Sequence, residues 1–171
     1  MIEITVRSVA YQIDGQPYES RVAFDADHKG PRPGLLMAPN WMGVSAGAEE
    51  IAKSVAAKGY VVLIADLYGQ SVRPQNNDEA GAAMMPLKND RPLLRKRMQV
   101  AFEQLQSQGE VAVDTSKLAT FGFCFGGCCA LEFARTGAPV KAAVSFHGTL
   151  DTPDVNDAKN IKGKVLVLHG A

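Results

Sequence analysis

Three cysteines, Cys124, Cys128 and Cys129, crowd one short stretch of the chain, and the first sits in Gly122-Phe123-Cys124-Phe125-Gly126-Gly127. The string has the form G-x-C-x-G, the cysteine counterpart of G-x-S-x-G, in which a strand turns directly into a helix and presents its middle residue as a nucleophile. The bend strains that residue's backbone, and the positions two away must lack bulk so that strand and helix can pass closely. Gly122 and Gly126 meet that need. At a helix N-terminus the unpaired N–H groups and the positive dipole end favour a thiolate over a thiol. The N–H of Phe125, the residue after the nucleophile, is available to an oxyanion of the kind formed in acyl transfer. The competing reading is a glycine-rich turn with an incidental cysteine. A phosphate-binding turn fits less well, since neither G-x-x-x-x-G-K-[ST] nor G-x-G-x-x-G is present.

An elbow needs a strand before it and a helix behind it, and the apolar pattern supplies both: a strand over 117–121 and a helix over 124–135 that ends near Gly137. Upstream, residues 2–11 alternate apolar and polar, Asp14-Gly15 offers a turn, and 18–24 resumes extended character, which predicts an N-terminal hairpin. Gly30-Pro31-Arg32-Pro33-Gly34 breaks the chain before a first interior strand over 35–38. A helix over 45–58, stopped by Gly59, leads to a strand over 60–65. Residues 66–90 lose the pattern in Gly, Pro, Asn and Gln and read as an irregular excursion of the sort that borders active sites. A helix over 91–108, with Pro92 in its first turn, and strands over 140–146 and 164–168 complete the series. Strands alternating with helices predict a mostly parallel sheet covered on both faces.

At 171 residues the chain has room for one domain with a substantial core. Eighteen basic residues balance eighteen acidic ones, which argues against nucleic acid or an anionic membrane surface as a partner. The N-terminus lacks a signal-peptide layout, and no apolar run approaches the roughly 20 residues that cross a bilayer. With reduced thiols, the expectation is a soluble cytoplasmic protein. The chain stops just after its last strand with no helix behind it, which reads as a single domain, 1–171, whose C-terminal part is missing.

Other residues divide between pocket and framework. His147 ends a predicted strand on the side where open α/β sheets place ligands, and is expected in the pocket rather than as a base. Tyr68, ending its strand segment, is a second pocket candidate. Met84 and Met85 read as core or pocket wall, His169 as a strand-end structural residue and His28 as a solvated loop residue. Cys128 and Cys129 read as small buried hydrophobes. The cysteine spacing lacks a second pair for zinc, and Asp151, Asp154 and Asp157 read as loop carboxylates; no metal and no cofactor are expected.

The chain resembles the dienelactone hydrolases, cysteine-dependent members of the α/β-hydrolase fold. The likeness is carried by Pro33-Gly34-Leu35-Leu36-Met37-Ala38-Pro39, by Gly43, by Lys58-Gly59-Tyr60-Val61-Val62-Leu63-Ile64-Ala65-Asp66-Leu67-Tyr68, and by the elbow at Gly122-Phe123-Cys124-Phe125-Gly126-Gly127. Two later segments resemble sheet strands of that family, Ala142-Ala143-Val144-Ser145-Phe146-His147-Gly148 and Val165-Leu166-Val167-Leu168-His169-Gly170. The resemblance implies an α/β-hydrolase fold and a Cys-His-Asp triad that opens a small ester or lactone through an acyl-enzyme, with Cys124 as nucleophile. It also implies a second oxyanion donor at the Trp41 amide, beside that of Phe125. The triad aspartate and histidine are expected beyond Ala171, so that residues 1–171 alone would be nearly inactive and a separate C-terminal segment would be a partner. Asn40 stands where the family archetype has a glutamate and counts as a pocket candidate. No clear match appears for the family's substrate-carboxylate arginine, though Arg73 and Arg91 lie near the region. A non-catalytic binding or scaffold protein on the same fold, or a thioesterase or transacylase, are the alternatives.

Overall fold

The computed structural model describes residues 2–170. Its N-terminal hairpin joins β1 (Ile4–Ile13) to β2 (Gln16–Asp25) through Asp14 and Gly15, both at positive φ (51° and 76°). Paired positive values give the type I′ turn whose twist matches that of the strands it connects. There follow β3 (Arg32–Ala38), α1 (Ala46–Ala56), β4 (Val61–Ile64), α2 (Asn77–Lys88), α3 (Arg91–Gln106), β5 (Val113–Phe123), α4 (Phe125–Arg135), β6 (Ala142–Phe146), a 3₁₀ turn (Val155–Asn160) and β7 (Lys164–Leu168). The strands form one sheet in the order β1-β2-β4-β3-β5-β6-β7. The hairpin joins β4 antiparallel, and every pair from β4 to β7 is parallel.

The two-residue period of the strands sorts side chains into two cores. Leu36, Val61 and Leu63 face a layer built with Leu94, Met98 and Phe102 of α3 and Phe133 of α4. Met37, Val62 and Ile64 face the other way, onto Ala48, Ala52 and Ala56 of α1. Small residues along one stripe let α1 lie close to the sheet. Helices therefore cover both faces, as the alternation of elements predicts.

Two expectations change. The excursion at 66–90 contains the twelve-residue helix α2. Gly81 and an internal Pro86 weaken its helical signal. The Asn76 side chain accepts from the Glu79 N–H (2.9 Å) and Glu79 reaches back to the Gln75 N–H (2.8 Å), so reciprocal capping starts the helix. In addition, β3 begins at Arg32 rather than after Gly34, because Arg32 and Pro33 already pair with Val113 and Asp114 of β5.

The excursion is pinned by Asp66, whose buried carboxylate accepts from the N–H groups of Glu19 (2.9 Å), Tyr68 (3.1 Å) and Gly69 (3.0 Å). Arg73 pairs with the same carboxylate (3.3 Å) and donates to the Gly69 and Glu19 carbonyls (2.7 and 3.0 Å). Charge-assisted bonds of this kind are roughly twice as strong as neutral ones. They fix the path of the chain where it leaves β4.

Candidate active site

At the end of β5 the backbone turns sharply at Cys124, which sits at φ 56° and ψ −119° and caps α4. A non-glycine residue held at such a φ costs on the order of 1–3 kcal/mol, so its surroundings must impose it. The Cys124 N–H donates to the Phe146 carbonyl at the end of β6 (2.8 Å), and its own carbonyl accepts from the Gly127 N–H (2.9 Å). Gly122 and Gly126 are the contact between strand and helix. A β-carbon on Gly126 would fall on the Ala38 carbonyl oxygen and lie 2.5 Å from that of Pro39, and one on Gly122 would lie 2.8 Å from the Ala38 oxygen. The end of β3 thus presses directly against the elbow.

This packing leaves the Cys124 side chain exposed while Cys128 and Cys129 are buried. Burial raises the thiol pKa of both buried cysteines, most strongly that of Cys129. Cys124 opens into a cleft of about 180 Å³ lined by Met84 and Lys88 of α2, by Phe125, and by His147 and Thr149 after β6. Of the residues singled out in the sequence, Cys124, Phe125, His147 and Met84 meet here. Asn40 and Tyr68 are not among the lining residues. The Asn40 side chain accepts from the Met42 N–H (2.9 Å) and its carbonyl from the Gly43 N–H (2.9 Å), which shapes the turn that carries Trp41. Tyr68 donates to the Trp41 carbonyl (2.9 Å) and stacks on Phe125, with ring centroids 6.5 Å apart. Burial pushes the Tyr68 phenol well up, and the nearby thiols of Cys129 and Cys124 add to the rise. Tyr68 therefore stays a neutral donor that couples the Trp41 turn to the elbow.

His147, also at positive φ (60°), donates its N–H to the Leu168 carbonyl (2.7 Å), and its ring stacks on His169 at 5.7 Å. Lys88 and Thr149 went unnoticed in the sequence. Lys88 closes a helix that the sequence pattern hides, and Thr149 lies in a loop with no periodicity. Arg73 and Arg91 are both committed to the framework. Arg73 holds Asp66, while Arg91 pairs with Glu132 (3.3 Å) and Asp151 (2.8 Å). Asp157 pairs with Arg95 (2.7 Å), and Asp154 caps the 3₁₀ turn through the Asn156 N–H (2.9 Å). The three aspartates thus serve separate structural ends, and among the described residues no group of His, Cys, Asp and Glu side chains is placed to hold a metal ion.

A mostly parallel sheet sandwiched by helices, with a strained residue at the bend after a central strand, defines the α/β-hydrolase fold. The family model for the dienelactone hydrolases matches residues 20–171, and the chain belongs to that family. It is 30% identical over 146 residues to a Bradyrhizobium protein named "Probable 2-oxo-3-(5-oxofuran-2-ylidene)propanoate lactonase", covering 84% of this chain and 57% of that one. Among solved structures it matches m3DLH with a TM-score of 0.90 at 36% identity, over 98% of this chain and 69% of the other. It matches P91, a dienelactone hydrolase-like promiscuous phosphotriesterase from metagenomic libraries, with a TM-score of 0.91 at 38% identity and the same coverages. The chain spans between half and three fifths of the length of two curated relatives it matches, the Bradyrhizobium protein and a Yersinia pestis protein named "Putative carboxymethylenebutenolidase". No helix among the described residues is long and apolar enough to cross a membrane.

Proposed function

We propose that the protein is the nucleophile-bearing part of a hydrolase for small carboxylic esters or lactones, working through a thioester on Cys124. The observation that carries the reading is the exposed Cys124 side chain, held at positive φ over a cleft while two neighbouring cysteines are buried. The family membership and the lactonase name of the Bradyrhizobium relative support it.

In the first half-reaction the Cys124 sulfur forms a bond to the ester carbonyl carbon, and the carbonyl π electrons move onto oxygen. The Trp41 and Phe125 amides have no acceptor among the described residues and are the donors assigned to that oxyanion. When the carbonyl re-forms, the C–O bond to the leaving alkoxide breaks, and the alkoxide takes the proton that the Cys124 thiol gives up. Water then adds to the thioester, the C–S bond breaks, and the carboxylic acid departs. A general base for the water step contributes about 10²–10⁴-fold, and the resemblance to the dienelactone hydrolases implies that this base is a histidine outside residues 1–171. The first half-reaction should therefore outpace the second in residues 1–171.

Incubation with p-nitrophenyl acetate followed by intact-mass analysis tests the scheme. The expected result is one acetyl group on Cys124, a burst of p-nitrophenol matching it, and neither in Cys124→Ala. An adduct that persists in Cys124→Ala, or none in the parent protein, would overturn the proposal.

A further inference from the structure

Behind the cleft, one side chain touches both of the segments that carry the assigned oxyanion donors. The end of β3 and the first turn of α4 are in backbone contact, since a β-carbon on Gly126 would lie 2.5 Å from the Pro39 carbonyl oxygen. That contact brings the turn holding Trp41, just beyond Pro39, up to Phe125, the residue before Gly126. Neither the Trp41 nor the Phe125 N–H has an acceptor among the described residues, so the aim of each is set by what holds its neighbours.

On the Trp41 side the flanking groups are all tied. The Asn40 carbonyl accepts from the Gly43 N–H (2.9 Å), which holds the oxygen end of the peptide that carries the Trp41 N–H. The next peptide is held at both ends: the Met42 N–H donates to Asn40 Oδ1 (2.9 Å), and the Trp41 carbonyl accepts from the Tyr68 phenol (2.9 Å). Among the described residues, the phenol supplies the one hydrogen bond that reaches residues 40–43 from outside the turn. Its ring also packs on Gly43, where a β-carbon would lie 3.0 Å from Tyr68 Cδ2. On the other side the ring stacks on Phe125, 6.5 Å between centroids and 11° between planes. Tyr68 is itself anchored, because its N–H donates to the buried Asp66 carboxylate (3.1 Å).

We propose that Tyr68 is a positioning residue that holds the Trp41 and Phe125 amides in the arrangement a tetrahedral oxyanion requires. The assignment rests on the reading of Cys124 as the acylated nucleophile. Tyr68 acts from behind the cleft, touching no reacting atom and giving up no proton. Removing an oxyanion donor outright costs about 10²–10³-fold. A donor that stays but is free to swing should cost less, about tenfold, in the rate of acylation.

Two reactions of the same sulfur test it. Acetylation by p-nitrophenyl acetate passes through an oxyanion. Alkylation by iodoacetamide forms the S–C bond at a saturated carbon as the C–I bond breaks and iodide departs, so no oxyanion arises. Tyr68→Phe keeps the stacked ring and loses the donor. It should acetylate Cys124 about tenfold more slowly, with the half-saturating ester concentration unchanged, and alkylate at the parental rate. Should Tyr68→Phe fail to fold, Gly43→Ala, whose added carbon pushes the turn off the same ring, carries the test with the same selective loss expected. Acetylation at the parental rate, or equal slowing of both reactions, would overturn the positioning role while leaving the nucleophile in place. A parent protein that alkylates at Cys124 but never acetylates there would overturn the reading of Cys124, and this assignment with it.

Discussion

The elbow and the outer strand β7 are both built from the parallel pattern, yet they differ in nearly every physical respect. Around Cys124 the backbone of β3, the glycines of β5 and α4, and the carbonyl of Phe146 meet at contact distance. Along β7 all five residues are exposed, including Val165, Leu166, Val167 and Leu168. One region is over-determined and can hold a strained residue. Among the described residues the other pairs on a single edge, through β6. Parallel strands are normally covered on both faces, and among the described residues β7 is not.

The comparison breaks first if the elbow tolerates bulk. Gly126→Val places carbon against the Ala38 and Pro39 carbonyls, backbone groups that cannot rotate away. The variant is expected to lose about 4 kcal/mol or more, seen as failure to give a cooperative urea transition.

A smaller loss tests the polar support of α4. Glu132 is fully buried, accepting from Arg95 Nε (2.9 Å) and Arg135 Nη1 (2.7 Å) and pairing with Arg91. Glu132→Ala strands buried guanidinium charge and should cost about 3–5 kcal/mol by denaturant titration.

Next comes pH. Burial keeps the Cys128 and Cys129 thiols protonated in the native protein past the point where unfolded thiols ionise, about pH 8.5. Above that pH the unfolded chain binds fewer protons than the native one, so stability falls as pH rises, and the fall stops once the native thiols titrate. Each thiol contributes up to about 1.4 kcal/mol per pH unit. Urea midpoints measured from about pH 8 upward should show this slope, and Cys129→Ala should reduce it. A parental slope in that variant would place the titration elsewhere.

The smallest effect belongs to the open flank. Leu166→Ser on β7 should change stability by no more than about 0.5 kcal/mol. A large loss there would erase the distinction between the two regions.

The same contrast governs what the sequence could reveal. Periodic elements with clean boundaries, such as the hairpin around Asp14 and Gly15 or the alanine stripe of α1, are legible because burial on one face imposes a period. The elbow is legible because close approach permits only glycine at Gly122 and Gly126. Helix α2 is hidden because Pro86 and Gly81 contradict helical propensity, and only the Asn76 and Glu79 capping pair marks it. Strand β5 extends beyond 117–121 on both sides, since Asp114, Thr115 and Ser116 are polar yet still belong to the strand. The cleft is half legible. Cys124, Phe125 and His147 announce themselves by position, while Lys88 and Thr149 reach it only through tertiary folding.

The bond from the His147 N–H to the Leu168 carbonyl joins the outer strand to the rim of the cleft, with the His169 ring laid beside it. The end of β7 and the lip of the cleft over Cys124 thus share a main-chain hydrogen bond, so a change in the path of Leu168 also changes the seating of His147.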